Sequence, residues 1–372
     1  MSGDFLGFFK VIEDPRSKKN QLYPLEEILF LCVCAVLSGA DGWAAITQFG
    51  RSKLEWFRRF LPYEQGFPNE DTIAWLMGRL KPEVFERCFI EWVNSFVGDL
   101  NGEVIAIDGK TARRSHDKRR SKNPLHMVSA WACSQRVSLG QLPTDEKSNE
   151  ITAIPALLEL LEIKGALITT DAMGCQRDIA SKIAEEGADY VLALKGNQRN
   201  MHEAVVDYFE VAEAAGFAQV PVPQKTTVDS DHGRIETRQY YLITDLCTLP
   251  DPEAWKNLSS IGMAITRREN KASGKVTEER RYYLNSITEI DRFAEAVRNH
   301  WGVENSLHWV LDMVFREDES RIRKGETPAV FNMLRQIANN LLRKMNSKLS
   351  IKARRFQAAL DDEFRTRAIF GE

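Results

Sequence analysis

Apolar positions along the chain fall into three regimes. From Pro24 to about residue 97 they recur at helical spacing. Pro24 opens a run to Leu37 with Glu26 and Glu27 in its first turn, and Ser38-Gly39-Ala40-Asp41-Gly42 ends it. Trp43–Phe49 and Ser52–Leu61 are predicted as short helices. After the turn Gly66-Phe67-Pro68-Asn69-Glu70-Asp71-Thr72, an amphipathic run continues to Leu80. Pro82–Val97 carries Phe85, Phe89, Trp92, Val93 and Phe96 along one side. Such helices form either a packing domain or a helix-turn-helix in which residues from Asp71 onward enter a DNA groove.

From Val104 the pattern turns to strands: Val104–Ile107, Met127–Ala132, Val137–Leu142, Leu167–Thr170 and Tyr190–Leu194, with helices at Ile154–Leu161 and Ile179–Glu186. The order β-β-β-α-β-α-β predicts an α/β mixed sheet with helices on its faces. Residues from about 225 to 286 are β-rich without helical periodicity, and a helical run from Phe293 to Phe315 follows. The chain therefore divides into an N-terminal all-helical domain (1–100), the first part of a catalytic core (101–200), a β-rich insertion (201–288), a second core segment (289–345) and a basic helical tail (346–372).

Composition changes this picture little. The 372 residues are 43% hydrophobic with a net charge of −3, ordinary for a protein with a sizeable core. The most apolar run, Ile28–Leu37, is far shorter than the roughly 20 residues of a membrane span. Cys32, Cys34, Cys88, Cys133, Cys175 and Cys247 show no CxxC pair, which fits reduced thiols in a cytosolic protein better than a disulfide framework or a zinc site.

The candidate chemistry lies in carboxylates. Val104-Ile105-Ala106-Ile107 ends in Asp108, and Leu167-Ile168-Thr169-Thr170 ends in Asp171; Gly109 and Gly174 follow and are expected to leave room for a phosphate backbone. In the later helix His300, Glu304, His308 and Asp312 recur every four residues as a titratable stripe among Trp301, Leu307, Trp309 and Val310. Hard divalent ions take oxygen ligands, and two of them about 3.5–4 Å apart serve phosphodiester chemistry. Asp108, Asp171 and Glu304 are the expected metal ligands.

Basic runs flank these positions. Lys110, Arg113, Arg114, Lys118, Arg119, Arg120 and Lys122 follow the first carboxylate against the single acid Asp117, and Arg343, Lys344, Lys348, Lys352, Arg354 and Arg355 occupy Leu341–Phe356 without acids. Such patches bind phosphates without reading sequence, though a charge run is also a plain solvated face. Lys195 and Asn197 at a strand end and Arg298 and His300 on the late helix are further candidate DNA contacts, while His232, Arg234 and Arg238 in the insertion either grip DNA or pair with Glu236.

Ile107-Asp108-Gly109-Lys110, Thr170-Asp171-Ala172-Met173, Leu194-Lys195-Gly196-Asn197-Gln198, His232-Gly233-Arg234-Ile235-Glu236-Thr237-Arg238 and His300-Trp301-Gly302-Val303-Glu304-Asn305-Ser306-Leu307-His308-Trp309 closely resemble bacterial insertion-sequence transposases, in the branch of the H-repeat-associated proteins. Pro68-Asn69-Glu70-Asp71-Thr72 resembles that branch's N-terminal associated domain. The resemblance implies a ribonuclease-H-like core with a β-rich insertion and DDE chemistry by Asp108, Asp171 and Glu304, with Asn305, His308 and Asp312 in support and Asp312 the rival third ligand. It further implies Mg²⁺ with Mn²⁺ as substitute, double-stranded DNA as partner, a homodimer or larger assembly on DNA, no membrane, and a cytoplasmic, nucleoid-associated place in a bacterium. Related cut-and-paste transposases surround the catalytic helix with Tyr, Arg, Glu and Lys. Here the residue four before Glu304 is His300 and the residue seven after it is Leu311, so Arg298 and His300 stand in for phosphate contact. Two rival readings remain, a ribonuclease-H-like nuclease without strand transfer and an inactive DNA-binding relic.

Overall fold

The computed structural model describes residues 5–116, 123–144, 150–217, 222–231 and 233–371. The N-terminal helices are α1 (Leu25–Leu37), α2 (Trp43–Ser52), α3 (Leu54–Phe57), α4 (Glu70–Met77) and α5 (Pro82–Asn94). All residues of α1 but Glu26 are buried, as its nearly unbroken apolar run requires. Helix α4 starts where the Asn69 side chain accepts the Thr72 amide at 2.8 Å, and Pro82 occupies the first turn of α5, where a missing N–H costs nothing. The first turn of α4 bears exposed Glu70 and Asp71, while the helix packs on α2 and on a later helix, α11 (Thr327–Lys344). Exposed acids where a recognition helix would meet phosphates argue against the helix-turn-helix reading and for a packing domain.

Then follow β1 (Val104–Thr111), β2 (His126–Ala132), β3 (Val137–Pro143), α6 (Glu150–Leu160), β4 (Leu167–Thr170), α7 (Arg177–Glu185), β5 (Asp189–Leu194), α8 (Arg199–Ala214), β6 (Gln224–Asp231), β7 (Arg234–Ile243), β8 (Ser260–Asn270) and β9 (Val276–Asn285). Among the described residues nine strands form one sheet in the order β3-β2-β1-β4-β5-β9-β8-β7-β6. β3, β2 and β1 are antiparallel, and β4 and β5 add in parallel through the crossover helices α6 and α7. This is the ribonuclease-H-like mixed sheet. The four strands after α8 continue it, because β9 pairs antiparallel with β5 from Val191↔Asn285 to Leu194↔Tyr282. From Tyr282 back to Val276 the ladder with β8 runs on beyond the end of β5, so this blade projects past the edge where β1, β4 and β5 terminate their parallel pairing.

Helix α9 (Ile290–Gly302) covers one sheet face, packing Phe293, Ala294, Ala296 and Val297 on Val104, Leu167, Val191 and Tyr283. One π-helical turn (Val303–His308) and α10 (Trp309–Met313) continue it, so the run from Phe293 to Phe315 is not one regular helix. The chain ends in α11, α12 (Ile351–Leu360) and α13 (Asp362–Phe370). No helix among the described residues is long and apolar enough to cross a membrane.

Several of the C-terminal cations are taken up by backbone carbonyls. Arg354 donates to the carbonyls of Leu342, Met345, Ser347 and Leu349, closing the end of α11. Arg355 is buried; it donates to the carbonyls of Val36 in the last turn of α1, of Ala40 beyond it and of Val314 beyond α10, and pairs with Asp41 at 2.7 Å. Orphan carbonyls at helix ends attract these donors, whereas Lys348 and Lys352 remain exposed. Arg355→Met is predicted to destabilise the protein by about 3 kcal/mol, because it strands buried acceptors and Asp41. Lys352→Met is expected to stay within about 0.5 kcal/mol of wild type, and urea unfolding of both variants checks the contrast.

Candidate active site

The parallel pairing of β1 with β4 ends at Ile107↔Thr170, so Asp108 and Asp171 are the next residue along each chain segment. They share one register position at the edge of the sheet. β1 itself does not stop there, since its antiparallel pairing with β2 runs on to Thr111↔His126. Asp108 is thus interior to its strand and Asp171 begins a loop, where its Oδ1 accepts the amides of Met173 (2.9 Å) and Gly174 (3.3 Å).

Both acids are half-buried. Burial, then the charges of Asp171, Glu150 and Glu304, push the Asp108 carboxyl up to about 7, against the pull of the Gly109 amide. Burial and then Glu150 also raise Asp171, with Lys195 opposing. Glu304 stands on the π-turn and is exposed, as is Asn305 beside it.

Glu150 is an acid that strand-end patterns did not single out. It opens α6, bonds His126 Nε2 at 2.8 Å, and lies where a Cβ on Gly109 would come within 2.0 Å of its Oε1. The room beside Gly109 is therefore filled by this pair rather than left for a phosphate. At Gly174 a Cβ would meet Thr170, so that glycine serves the close approach of its own loop. A periodic reading of α6 begins at Ile154 and misses the acid in its first turn.

Burial disfavours the charged form of both histidines on the late helix. His308 is buried with Nδ1 3.5 Å from Asp108 Oδ2, and burial, then the Lys110 charge, holds it down to about 3. Its Nε2 has no hydrogen-bond partner among the described residues. His300 Nδ1 lies 2.9 Å from Thr169 Oγ1, and burial followed by the Arg281 charge depresses it to about 4. A neutral ring tied to β4 is no cationic phosphate contact, so that expectation for His300 is withdrawn.

Lys110 is withdrawn for a different reason. Its Nζ lies 2.7 Å from Asp312 and 3.7 Å from Asp318, and also pairs with buried Glu317. Burial works against its charge, but these acids outweigh it and raise the ammonium above its ordinary value. Asp312 shares this cluster through its Oδ1, so an ammonium already claims the carboxylate expected as the rival third ligand.

Arg113 and Arg114 are exposed; Arg113 Nε lies 3.3 Å from Asp318, and the Arg114 carbonyl accepts from Arg323. Lys195 is exposed beside Asp171, while Asn197 donates to the Ala172 carbonyl at 2.7 Å and so braces the Asp171 loop. Arg298 is exposed and 3.2 Å from Asp229, and Arg234 is exposed at the far end of the blade, opposite Asn270. Arg119, Arg120 and His232 lie outside the described residues. The run Arg316–Lys324 mixes acids with cations. Its acids Glu317, Asp318 and Glu319 are all paired with cations, which leaves Arg321 and Lys324 exposed beside Arg113 and Arg114 through the Arg323 contact.

Among the described residues no three His, Cys, Asp or Glu side chains are gathered into a ready cation cage. The donor chemistry nonetheless suits a hard divalent ion: Asp108, Asp171 and Glu304 offer oxygens only, and burial together with the neighbouring acids leaves Asp108 poorly stabilised as an anion.

Residues 99–341 match the transposase DDE domain, and residues 6–93 match its DDE_Tnp_1-associated segment. The chain belongs to the DDE transposase family. This transposase chain is 42% identical to YncI of Escherichia coli O157:H7 over 96% of its own length and 92% of that protein's. It is 39% identical to the H repeat-associated YhhI of Escherichia coli K12 over 97% of this chain and 96% of that one. Both relatives are provisionally named transposases. A short relative, the inactive transposase YbfQ of Escherichia coli K12, is 39% identical over 64 residues, 17% of this chain and 76% of its own.

A carboxyl raised from 3.8 to about 7 by folding gives the native state an extra proton between those values. Its contribution to stability is full below the unfolded value and is lost as pH rises through about 7. In EDTA the melting temperature of wild type is therefore predicted to fall relative to Asp108→Asn between pH 5 and about 8. Added Mn²⁺ is expected to restore wild type at pH 8 and leave the variant unmoved, as differential scanning fluorimetry would record.

Proposed function

We propose that this transposase cleaves DNA at the ends of an insertion sequence and joins the freed 3′-hydroxyls to target DNA. The observation that carries the reading is the shared register position of Asp108 and Asp171, with Asp108 left poorly stabilised as an anion by its acidic neighbours. Asp108 and Asp171 would hold Mg²⁺, or Mn²⁺ in its place, with Glu304 as the third ligand. When bound, such ions neutralise charge on the entering and leaving oxygens of a phosphodiester.

The chain's own side chains provide the surroundings. His308 keeps an uncharged ring against Asp108, so no fixed cation at that contact competes for its oxygens. Asn197 and the Met173 and Gly174 amides fix the Asp171 loop, and Asn305 sits beside Glu304 as a supporting polar group. Exposed Lys195, Arg113, Arg114, Arg321 and Lys324 are proposed to receive duplex phosphates near the carboxylates, and Arg298 and Arg234 to contact DNA along the blade. Two element ends must be held together during joining, which calls for a homodimer or larger assembly on DNA.

A second reading, a relic that binds DNA without cutting, draws on the exposure of Glu304 and the absence of three gathered ligands among the described residues. Labelled duplexes taken from DNA flanking the gene separate the two when incubated with Mg²⁺ or Mn²⁺ and a target plasmid. Metal-dependent nicks and joined products are expected. Glu304→Gln should lower cutting at least roughly a hundredfold, and Asp312→Asn should retain it. Nicking without joining would reduce the protein to a nuclease. Binding without cutting under both metals would establish the relic.

A further inference from the structure

The π-turn that carries Glu304 is gripped from outside its own helix. Arg343, near the end of α11, donates from Nη2 to the Ser306 carbonyl, midway between Glu304 and His308. Its Nε bonds Asn339 Oδ1 at 3.1 Å, which orients the guanidinium from its own helix. The same guanidinium lies 4.9 Å from the centre of the Trp131 ring. Trp131 belongs to β2 and pairs in register with Ala106, two residues before Asp108 on β1. One side chain thus touches the turn holding Glu304 and stands on the strand pair holding Asp108.

The local geometry gives this contact a purpose. In the π-turn the Trp309 amide bonds the Glu304 carbonyl, five residues back, whereas the flanking segments are α-helical. Isolated π-turns are uncommon and persist where something outside the helix supports them. If the turn relaxed to α-helical bonding, residues beyond it would rotate about the helix axis relative to Glu304. His308 would leave Asp108, and Asp312 would leave Lys110. The sequence counts Arg343 as one charge in a basic run; the structure directs it inward.

We infer that Arg343 is a positioning residue for the active site. By holding the Ser306 carbonyl it fixes the π-turn, and so sets Glu304 and His308 in phase with Asp108. The inference rests on Glu304 belonging to the metal site, and its test has a readout that does not need cutting.

Full-length wild type, Arg343→Met and Arg343→Lys would be compared for Mn²⁺ affinity by electron paramagnetic resonance, for cleavage across a Mn²⁺ titration, and for duplex binding. Methionine keeps bulk against Trp131 but donates nothing; lysine keeps the charge but not the planar pair of donors. Arg343→Met is expected to weaken Mn²⁺ binding and shift half-maximal cleavage to higher Mn²⁺ by about ten- to a hundredfold. Duplex binding should stay within about twofold, as it does not run through Ser306. Millimolar guanidinium should recover cleavage in Arg343→Met, and Arg343→Lys should remain impaired. Unchanged metal dependence in Arg343→Met overturns the inference. So does a loss of cleavage that follows thermal unfolding alone, with no shift in metal affinity and no rescue. If wild type binds Mn²⁺ but does not cut, the proposed activity fails while the Mn²⁺ comparison still decides the role of Arg343. If wild type binds no Mn²⁺, both fall.

Discussion

Two carboxylates forced to one register position are the constraint on which the site depends. β1 and β4 run parallel, their pairing ends at Ile107↔Thr170, and each chain continues with an aspartate. Like charges in a half-buried setting are costly, and Lys195 offsets part of that cost only at Asp171. The described ion pairs give Asp108 only the ring of His308, which is held uncharged. Lys110, two residues on, is drawn away by Asp312, Glu317 and Asp318. Among the described ion pairs, then, Asp108 has no charged cation as its partner.

Nearby cations are sorted by whether a carbonyl or carboxylate can claim them. Arg343, Arg354 and Arg355 satisfy carbonyls at helix ends or in the π-turn, and Arg355 ties α1 to the segment after α10. Those contacts join the N-terminal helices to the helix over the site, so the helical region acts as a brace. What remains for a polyanion is a smaller set on the loops after β1 and α10, with Lys195 beside Asp171. A chain with a net charge of −3 can therefore still present a local cationic surface.

Much of this was legible in the sequence. Apolar runs located α1, α5 and the core strands, and two runs ending in Asp pointed to the edge of the sheet. What was hidden follows from physics that local patterns do not carry. β1 was expected to stop at Ile107 because Gly109, Lys110 and Thr111 are not apolar, yet β2 supplies partners as far as Thr111. The π-turn was invisible because His300, Glu304, His308 and Asp312 read as one helical stripe. Glu150 was missed because only the crossover into α6 brings it to Asp108. The direction of each cation was unreadable, since counting charge in Leu341–Phe356 cannot reveal that Arg354 and Arg355 face carbonyls.

The most direct measurement is anomalous X-ray scattering from crystals of the full chain soaked in Mn²⁺ near pH 8. A peak shared by the Asp108 and Asp171 carboxylates, lost in Asp108→Asn, is the predicted result. Scattering only at Glu150 and His126, or none at the edge of β1 and β4, would contradict the account.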